Sequence, residues 1–325
     1  MKPSRRRFLQ LAAGAAVLPA VSRVAWAQTY PTRPVRLVVA AASGSAPDIL
    51  ARLMGQWLSE RTGQPFLIDN RPGAGGNLGT EAVVKAAPDG YTLLMVGTPS
   101  AINATLYEKL NFNFIRDIAP VAGISRQSLV MVVHPSFPAK TVPEFIAHAK
   151  TNPGKISMAS SGNGSSPHMA GELFKMMAGV DMVHVPYRGG ASALTDLLGG
   201  QVQMMFGSMA ASTEYIRSGK LRPLAVTTSK RLEVLPDIPT VGEFVAGYEA
   251  TGFFGVGAPK NTPAAIIEKL NKEFNAGLAA PKVKARLADL DGTELFGSPA
   301  DFGKLIAAET EKWAKVVKFS SAKVD

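Results

Sequence analysis

What most constrains this chain is its rhythm: short β-branched runs, each closed by a small-residue loop and followed by a helical apolar face. The run Val35–Val39 is bounded by Pro34 and a Gly/Ser loop and predicts a buried strand. Pro47 then suits a first helical turn and Asp48 a helix N-terminus. Leu50, Leu53, Met54, Trp57 and Leu58 follow at i, i+3, i+4, i+7 and i+8, one apolar face. The cycle repeats with a strand at 66–69, a glycine loop at 73–76 and a helix through Leu78, Ala82 and Val83. A turn at 87–90 leads to a strand at 92–97. A second block opens at 129–133 and alternates strands at 156–159, 182–185, 202–206 and 224–226 with helices at 143–150, 168–178, 191–198 and 212–218. A strand at 253–256 and helices at 263–279 and 299–318 close the chain. Alternation of this kind defines the α/β class, with largely parallel sheets covered by helices. There are too many units for one compact sheet, so the chain is expected to form two lobes with a mostly parallel sheet in each.

A length of 325 residues, 46% of them hydrophobic and 18% charged, suits substantial globular cores rather than disorder. The absence of cysteine excludes disulfides, thiol catalysis and thiolate metal sites. The formal charge of +10 suggests a nucleic-acid partner until its location is read. Lys2, Arg5, Arg6, Arg7 and Arg23 supply half of it before residue 28, with no acid among them. The rest is scattered, with no basic run interleaved with aromatics, so no nucleic-acid partner is expected. Residues 1–27 have the plan of an export signal: a charged start, an apolar stretch from Leu11 to Val21, and Ala25-Trp26-Ala27 as cleavage site. Arg5-Arg6-Arg7-Phe8-Leu9 fits the twin-arginine pattern. The remainder is expected outside the cytoplasm.

Several strand-end loops are rich in Gly and Ser: Ser43-Gly44-Ser45, Thr98-Pro99-Ser100, 160–166, Arg188-Gly189-Gly190 and Gly207-Ser208. Glycines let backbone amides approach a ligand, hydroxyls donate without bringing charge, and amides at helix starts suit a carboxylate or phosphate. Catalytic and cofactor patterns fare worse. No Gly-x-Ser-x-Gly elbow is present, and 162–167 does not supply one. His134, His148, His168 and His184 lack metal-ligand spacing. In Gly73-Ala74-Gly75-Gly76-Asn77-Leu78, Leu78 stands where a dinucleotide fingerprint requires its third glycine. No catalytic residue, metal or cofactor is assigned.

The ordered landmarks 69–77 (Asp-Asn-Arg-Pro-Gly-Ala-Gly-Gly-Asn), 87–94 (Ala-Pro-Asp-Gly-Tyr-Thr-Leu-Leu), 184–190 (His-Val-Pro-Tyr-Arg-Gly-Gly), 197–201 and 235–240 resemble the periplasmic receptors of tripartite tricarboxylate transporters, the Bug-type solute-binding proteins. The resemblance runs from about Tyr30 to Val317. It implies a two-lobed, flytrap-like periplasmic-binding-protein fold of type II, with one lobe from 28–127 plus 247–325 and the other from 128–246. It further implies a monomer that binds a small carboxylate (a di- or tricarboxylate, acidic amino acid or aromatic acid) and passes it to membrane permease subunits. Carried over by position, the first-lobe site is Ser43, Gly44, Ser45 and Ala46, with Asp48 behind them, plus Thr98 and Ser100. The second lobe contributes Ser160, Ser161, Gly162, Gly164, Ser165, His168, Arg188, Gly189, Gly190, Gly207 and Ser208. Arg188 either pairs with a carboxylate or braces its loop. The family's Pro-Gly-Gly in the first loop is replaced here by Ala42-Ser43-Gly44-Ser45-Ala46-Pro47, keeping only Gly44 and Asp48 of the pattern. Two other readings stand beside transport: a sensor that presents its ligand to a signalling protein, and a secreted hydrolase using Ser165 or Ser208.

Overall fold

In the computed structural model, which describes residues 30–320 and 322, a compact unit begins at Arg33. Eleven strands among the described residues form two sheets. The first holds β1 (Val35–Val39), β2 (Phe66–Asn70), β3 (Thr92–Gly97), β4 (Ile118–Gln127), β10 (Gly252–Pro259) and β11 (Gly292–Glu294), in the order β11-β4-β10-β3-β1-β2. The second holds β5 (Leu129–Val133), β6 (Ser157–Ser160), β7 (Val183–Pro186), β8 (Met204–Ser208) and β9 (Arg222–Val226), in the order β7-β6-β8-β5-β9. The expected two-lobed α/β architecture is what the chain adopts.

The pairing within each sheet is mixed rather than parallel throughout. β1 pairs in parallel with β2 and β3, and β6 with β7 and β8. β10 runs antiparallel between β3 and β4, and β5 antiparallel between β8 and β9. The cause is the way the chain crosses between sheets. β4 ends at Gln127 and β5 begins at Leu129, so Ser128 alone carries the first crossing. The return runs from β9 at Val226 through 227–251 to β10. Each sheet therefore receives one strand that arrives from the other sheet and runs against its neighbours. Thr227 ties the crossings together: its Oγ1 accepts from Leu129 N (3.1 Å), its own N–H donates to Leu129 O (3.0 Å), and its O accepts from Ala250 N (3.0 Å).

These ladders fix which edges meet. β10 is antiparallel to both β3 and β4, so β4 exits at the edge where β1, β2 and β3 end. Leu129 pairs with Ser208, so β5 enters at the edge where β6, β7 and β8 end. With one residue between β4 and β5, the carboxyl ends of the two sets of parallel strands face each other. Ligands of open α/β sheets bind at such edges.

Helices start at those edges: α1 (Ala46–Thr62) after β1, α2 (Asn77–Val84) after β2 and α3 (Thr98–Leu106) after β3. In the second sheet α6 (Ser166–Ala178) follows β6, α7 (Gly190–Leu198) follows β7 and α8 (Met209–Arg217) follows β8. Between them in sequence lie the one-turn α4 (Phe114–Asp117) and α5 (Val142–Thr151). α9 (Ala264–Ala279), α10 (Pro281–Asp289) and α11 (Pro299–Ser320) close the order. On α1 the predicted face buries Leu50, Met54 and Leu58 and leaves Leu53 and Trp57 half-buried. On α2 the prediction fails at Leu78, which is 57% exposed; Asn77, Thr80 and Val83 face inward instead.

One apolar core runs through both lobes. It joins Val38, Leu94 and Ile102 of the first to Met131, Met158 and Phe206 of the second, with Trp313, Val316 and Val317 of α11 among them. A second core on the other face of the second sheet holds Val130, Val132, Ala159, Leu197 and Met205. Along β5 successive residues thus alternate between two buried faces, which is why that strand is an unbroken apolar run.

Candidate ligand site between the two sheets

At the first sheet's edge the 40–47 loop is built on Asp48. This carboxylate is 1% exposed. Its Oδ2 accepts from Gly44 N (2.8 Å) and Arg52 Nε (3.0 Å), its Oδ1 from Asn70 Nδ2 (2.9 Å), and Arg52 completes an ion pair at 2.9 Å. Burial alone raises such a carboxyl, but the hydrogen bonds from Arg52, Gly44 and Asn70 overcome it and hold it at about 2. Gly44 sits at φ +80°, a conformation glycine enters at no steric cost. Asp48 therefore spends its oxygens on the loop, and Ser43 and Gly44 are left exposed above it. Ser45 takes the N-cap position of α1, yet its hydroxyl donates back to Ala42 O (2.6 Å), so it caps no helix amide. Ala46 begins the helix.

Thr98 and Ser100 lie in the first turn of α3 rather than in a loop. The Thr98 hydroxyl is buried and accepts from Phe253 N (2.9 Å), which makes it a joint between β10 and α3. Ser100 lines a small recess of about 60 Å³ with Ala41, Pro47, Gly75, Gly76 and Asn103. The glycine loop after β2 thus belongs to this edge, although its sequence read as a plain turn. Asn103 holds it there, donating from Nδ2 to Gly75 O (2.9 Å). Its place after a strand parallel to β1 was the available signal.

At the second sheet's edge the turn 160–165 folds onto two histidines. Ser160 is fully buried, with its Oγ 2.6 Å from His184 Nε2 and accepting from Gly162 N (3.2 Å). Gly164 N donates to His168 Nδ1 (3.1 Å). The His168 and His184 rings stack at 3.7 Å and 8°. Burial pushes both imidazoles down, His168 to about 3 and His184 to about 4, so both rings are neutral near pH 7. The 3.8 Å approach of His168 Nε2 to Glu172 is therefore not an ion pair; Glu172 has Lys175 at 3.0 Å as its charged partner. Ser165 caps α6, accepting from His168 N and donating to Gly162 O (2.7 Å). Ser161 is half-buried.

Arg188 is exposed and makes no hydrogen bond or ion pair among the described residues. The bracing role falls instead to its neighbour Tyr187, whose hydroxyl donates to Asp196 Oδ2 (2.7 Å). Gly189 and Gly190 open α7. Gly207 is buried at the end of β8, where a Cβ would lie 2.6 Å from Ser212 Oγ, and Ser208 is exposed at the start of α8.

The turn 160–165 meets the first lobe at Gly164, where a Cβ would lie 2.6 Å from Leu106 Cδ2 at the carboxyl end of α3. The hydrogen bonds of the Ser43–Asp48 group stay within the first sheet's edge. Five of the six helices that start at the facing edges (α1, α2, α3, α7 and α8) have no side-chain cap; only α6 has one. By contrast α5, which starts at the far edge of the second sheet, is capped by Thr141. First-turn amides without a cap need water or a ligand. The loops 40–47, 70–76, 97–100, 160–167, 187–191 and 207–210 contain no carboxylate.

Two facing strand-carboxyl edges with helix starts left open define a solute-binding fold, and the chain belongs to the tripartite tricarboxylate transporter receptor family, which it matches over residues 50–321. Protein BugT of Bordetella pertussis is 36% identical over 303 residues, 92% of either chain. Among solved structures, R. palustris Rpa4515 with adipate is 38% identical with a TM-score of 0.79, covering 91% of this chain and all of that one. MatC from Rhodopseudomonas palustris with bound malate is 31% identical with a TM-score of 0.76, over 89% of this chain and all of that one.

Proposed function

We propose that this chain is a periplasmic receptor that captures a small organic carboxylate between its lobes and passes it to tripartite-type membrane permease subunits. The lobes are 28–127 plus 247–325 and 128–246, joined at Ser128 and along 227–251. The observation that carries the reading is the run of uncapped helix starts at the two facing edges, on loops that hold no carboxylate. The open amides of α1 and α3 would take one carboxylate, with Ser43, Gly44, Ser45, Ala46, Thr98 and Ser100 around it. Those of α7 and α8 would take the other end of the ligand, with Gly189, Gly190, Gly207 and Ser208. Ser160, Ser161, Gly162, Gly164, Ser165 and His168 shape the wall between them. Arg188, exposed and unpaired, supplies the cation. Two opposed sets of donors suit a dicarboxylate, in keeping with the adipate and malate that two relatives carry. Hinge closure about the two crossings would seal the ligand in.

Hydrolysis fits the geometry poorly. Ser165 is occupied as a helix cap, and Ser160, the serine beside an imidazole, is fully buried. Export through residues 1–27 and a monomeric state complete the proposal; residues 1–27 lie outside the described part of the chain.

The test is a thermal-shift screen against mono-, di- and tricarboxylates, acidic amino acids and aromatic acids. A ligand at about 100 times its Kd adds about 2.7 kcal/mol of stability, which a melting curve resolves. A shift confined to dicarboxylates supports the two-ended site. A flat panel, from protein shown by mass spectrometry after denaturation to carry no ligand, refutes the carboxylate reading.

A further inference from the structure

We propose that His168 and His184 are positioning residues which, as one stacked pair, set the ligand-facing conformation of the 160–165 turn without touching the ligand. The inference rests on the receptor reading above. The pair takes alternate amides of the turn: Gly164 N–H goes directly to His168 Nδ1 (3.1 Å), and Gly162 N–H goes to Ser160 Oγ, which His184 Nε2 holds at 2.6 Å. The amides between them, of Ser161 and Asn163, donate to no backbone or side-chain group among the described residues.

His168 must act as an acceptor for this arrangement to hold, and His184 must keep its hydrogen bond to Ser160 in either direction. Gly164 N–H fixes Nδ1 of His168 as the acceptor, so its proton lies on Nε2, on the side of Glu172. Ser160 Oγ accepts from Gly162 N and lies 2.6 Å from His184 Nε2; its hydroxyl hydrogen goes either to that nitrogen or, when Nε2 carries the proton, to Gly162 O at 3.2 Å. His168 belongs to α6 and His184 to the edge strand β7, and their rings stack nearly parallel at 3.7 Å. The pair therefore staples strand to helix underneath the turn. On the other side of the turn Gly164, at φ +72°, leaves no room for a side chain against Leu106. The turn is gripped from both sides, and two of its amides are drawn into the grip. What remains for the ligand is the alternate pair of amides, at a spacing the histidines set.

The experiment compares, at each position, a ring without an acceptor against a side chain that restores one. His168→Phe and His184→Phe keep a stacking ring but accept nothing. His168→Asn places Oδ1 where Nδ1 stood, and His184→Gln places an amide that can donate or accept where Nε2 stood. The first readout needs no ligand: amide hydrogen exchange at Gly164 should speed at least tenfold in His168→Phe and return close to wild type in His168→Asn. The second is the Kd for malate, adipate and citrate by calorimetry. Affinity for the one that binds wild type should fall at least tenfold in both Phe variants and recover to within about threefold in His168→Asn and His184→Gln. Should His168→Phe fail to fold, the His184 pair carries the same comparison. Phe variants that bind as tightly as wild type, or acceptor variants that fold as stably as wild type but do not recover affinity, overturn the proposal. Wild-type protein that binds none of the three probes speaks against the receptor reading, while the exchange result still judges the staple.

Discussion

Replacing Asp48 by Asn is the most informative single change, because it separates a loop support from a ligand contact. The carboxylate is 1% exposed and accepts from Gly44 N, Arg52 and Asn70 Nδ2, all within 3.0 Å. Its hold at about 2, against an ordinary value near 3.8, corresponds to roughly 2.5 kcal/mol of stability at pH 7. The amide of Asn removes the charge and turns an NH₂ toward a donor, leaving a buried N–H without an acceptor at about 1–3 kcal/mol. These contributions overlap, so the expected loss is about 3 kcal/mol, or roughly 5 °C in Tm for a chain of this size. The sign with pH follows from the lowered carboxyl. Its stabilisation is complete above the unfolded value near 3.8 and is lost as pH falls through about 2. The gap between wild type and D48N should therefore shrink by about 1 kcal/mol, roughly a third, between pH 7 and pH 3. Melting curves at both pH values, with Kd measured in parallel, check this. Affinity should fall as well, since Gly44 loses the acceptor that orients it. A D48N chain with wild-type Tm but lost affinity would refute the reasoning and place Asp48 on the ligand.

Ser165→Asp should keep α6 capped, at the cost of about 1 kcal/mol for the lost Ser165–Gly162 hydrogen bond, while weakening an anionic ligand about tenfold by repulsion at a helix start, read by calorimetry. Unchanged affinity would move the ligand away from this turn. Below pH 7 the protein should lose stability through His168, because its folded value, near 3, lies under the ordinary 6.5. The stabilisation is complete above 6.5 and drains as pH falls toward 3, amounting to about 2 kcal/mol between pH 7 and 5. Glu172, raised by burial, acts in the opposite sense, so the test is the difference between wild type and His168→Asn in urea titrations at the two pH values. Equal slopes would show that His168 is charged or solvated when folded. Protein recovered from the periplasm should begin at Gln28 by mass spectrometry; Met1 on most exported chains would contradict the export reading.

The residues legible in sequence were those whose burial follows from local pattern. The runs of β3 and β5 are apolar because both faces are covered, β1 is apolar but for the exposed Arg36, and the face of α1 repeats at the helical period; each of these elements sits near its predicted place. Strand β4 was not legible: Pro120, Gly123, Ser125 and Arg126 break any apolar alternation. It is a strand because β10 and β11 pair with it, and Gly123 fits because Leu295 packs where its side chain would be. Thr98-Pro99-Ser100 read as a loop, since Pro and hydroxyl residues favour turns and helix starts alike. The packing of α3 between the sheets decided in favour of the helix start.

By itself, then, the sequence determined the α/β class, the division into two lobes, the family and the Gly/Ser-rich loops at the strand ends, because these follow from periodicity and from ordered local motifs. The tertiary structure decided the mixed pairing of the sheets, the exposure of Leu78, the enclosure of Asp48 and the stacking of His168 on His184. Each of these depends on partners far apart in the chain: Asn70 lies 22 residues from Asp48, and Thr98 is bonded 155 residues away to Phe253. Local pattern reports which residues prefer burial or a turn. Which donor meets which acceptor is settled only when two crossings bring separate strand ends to one edge.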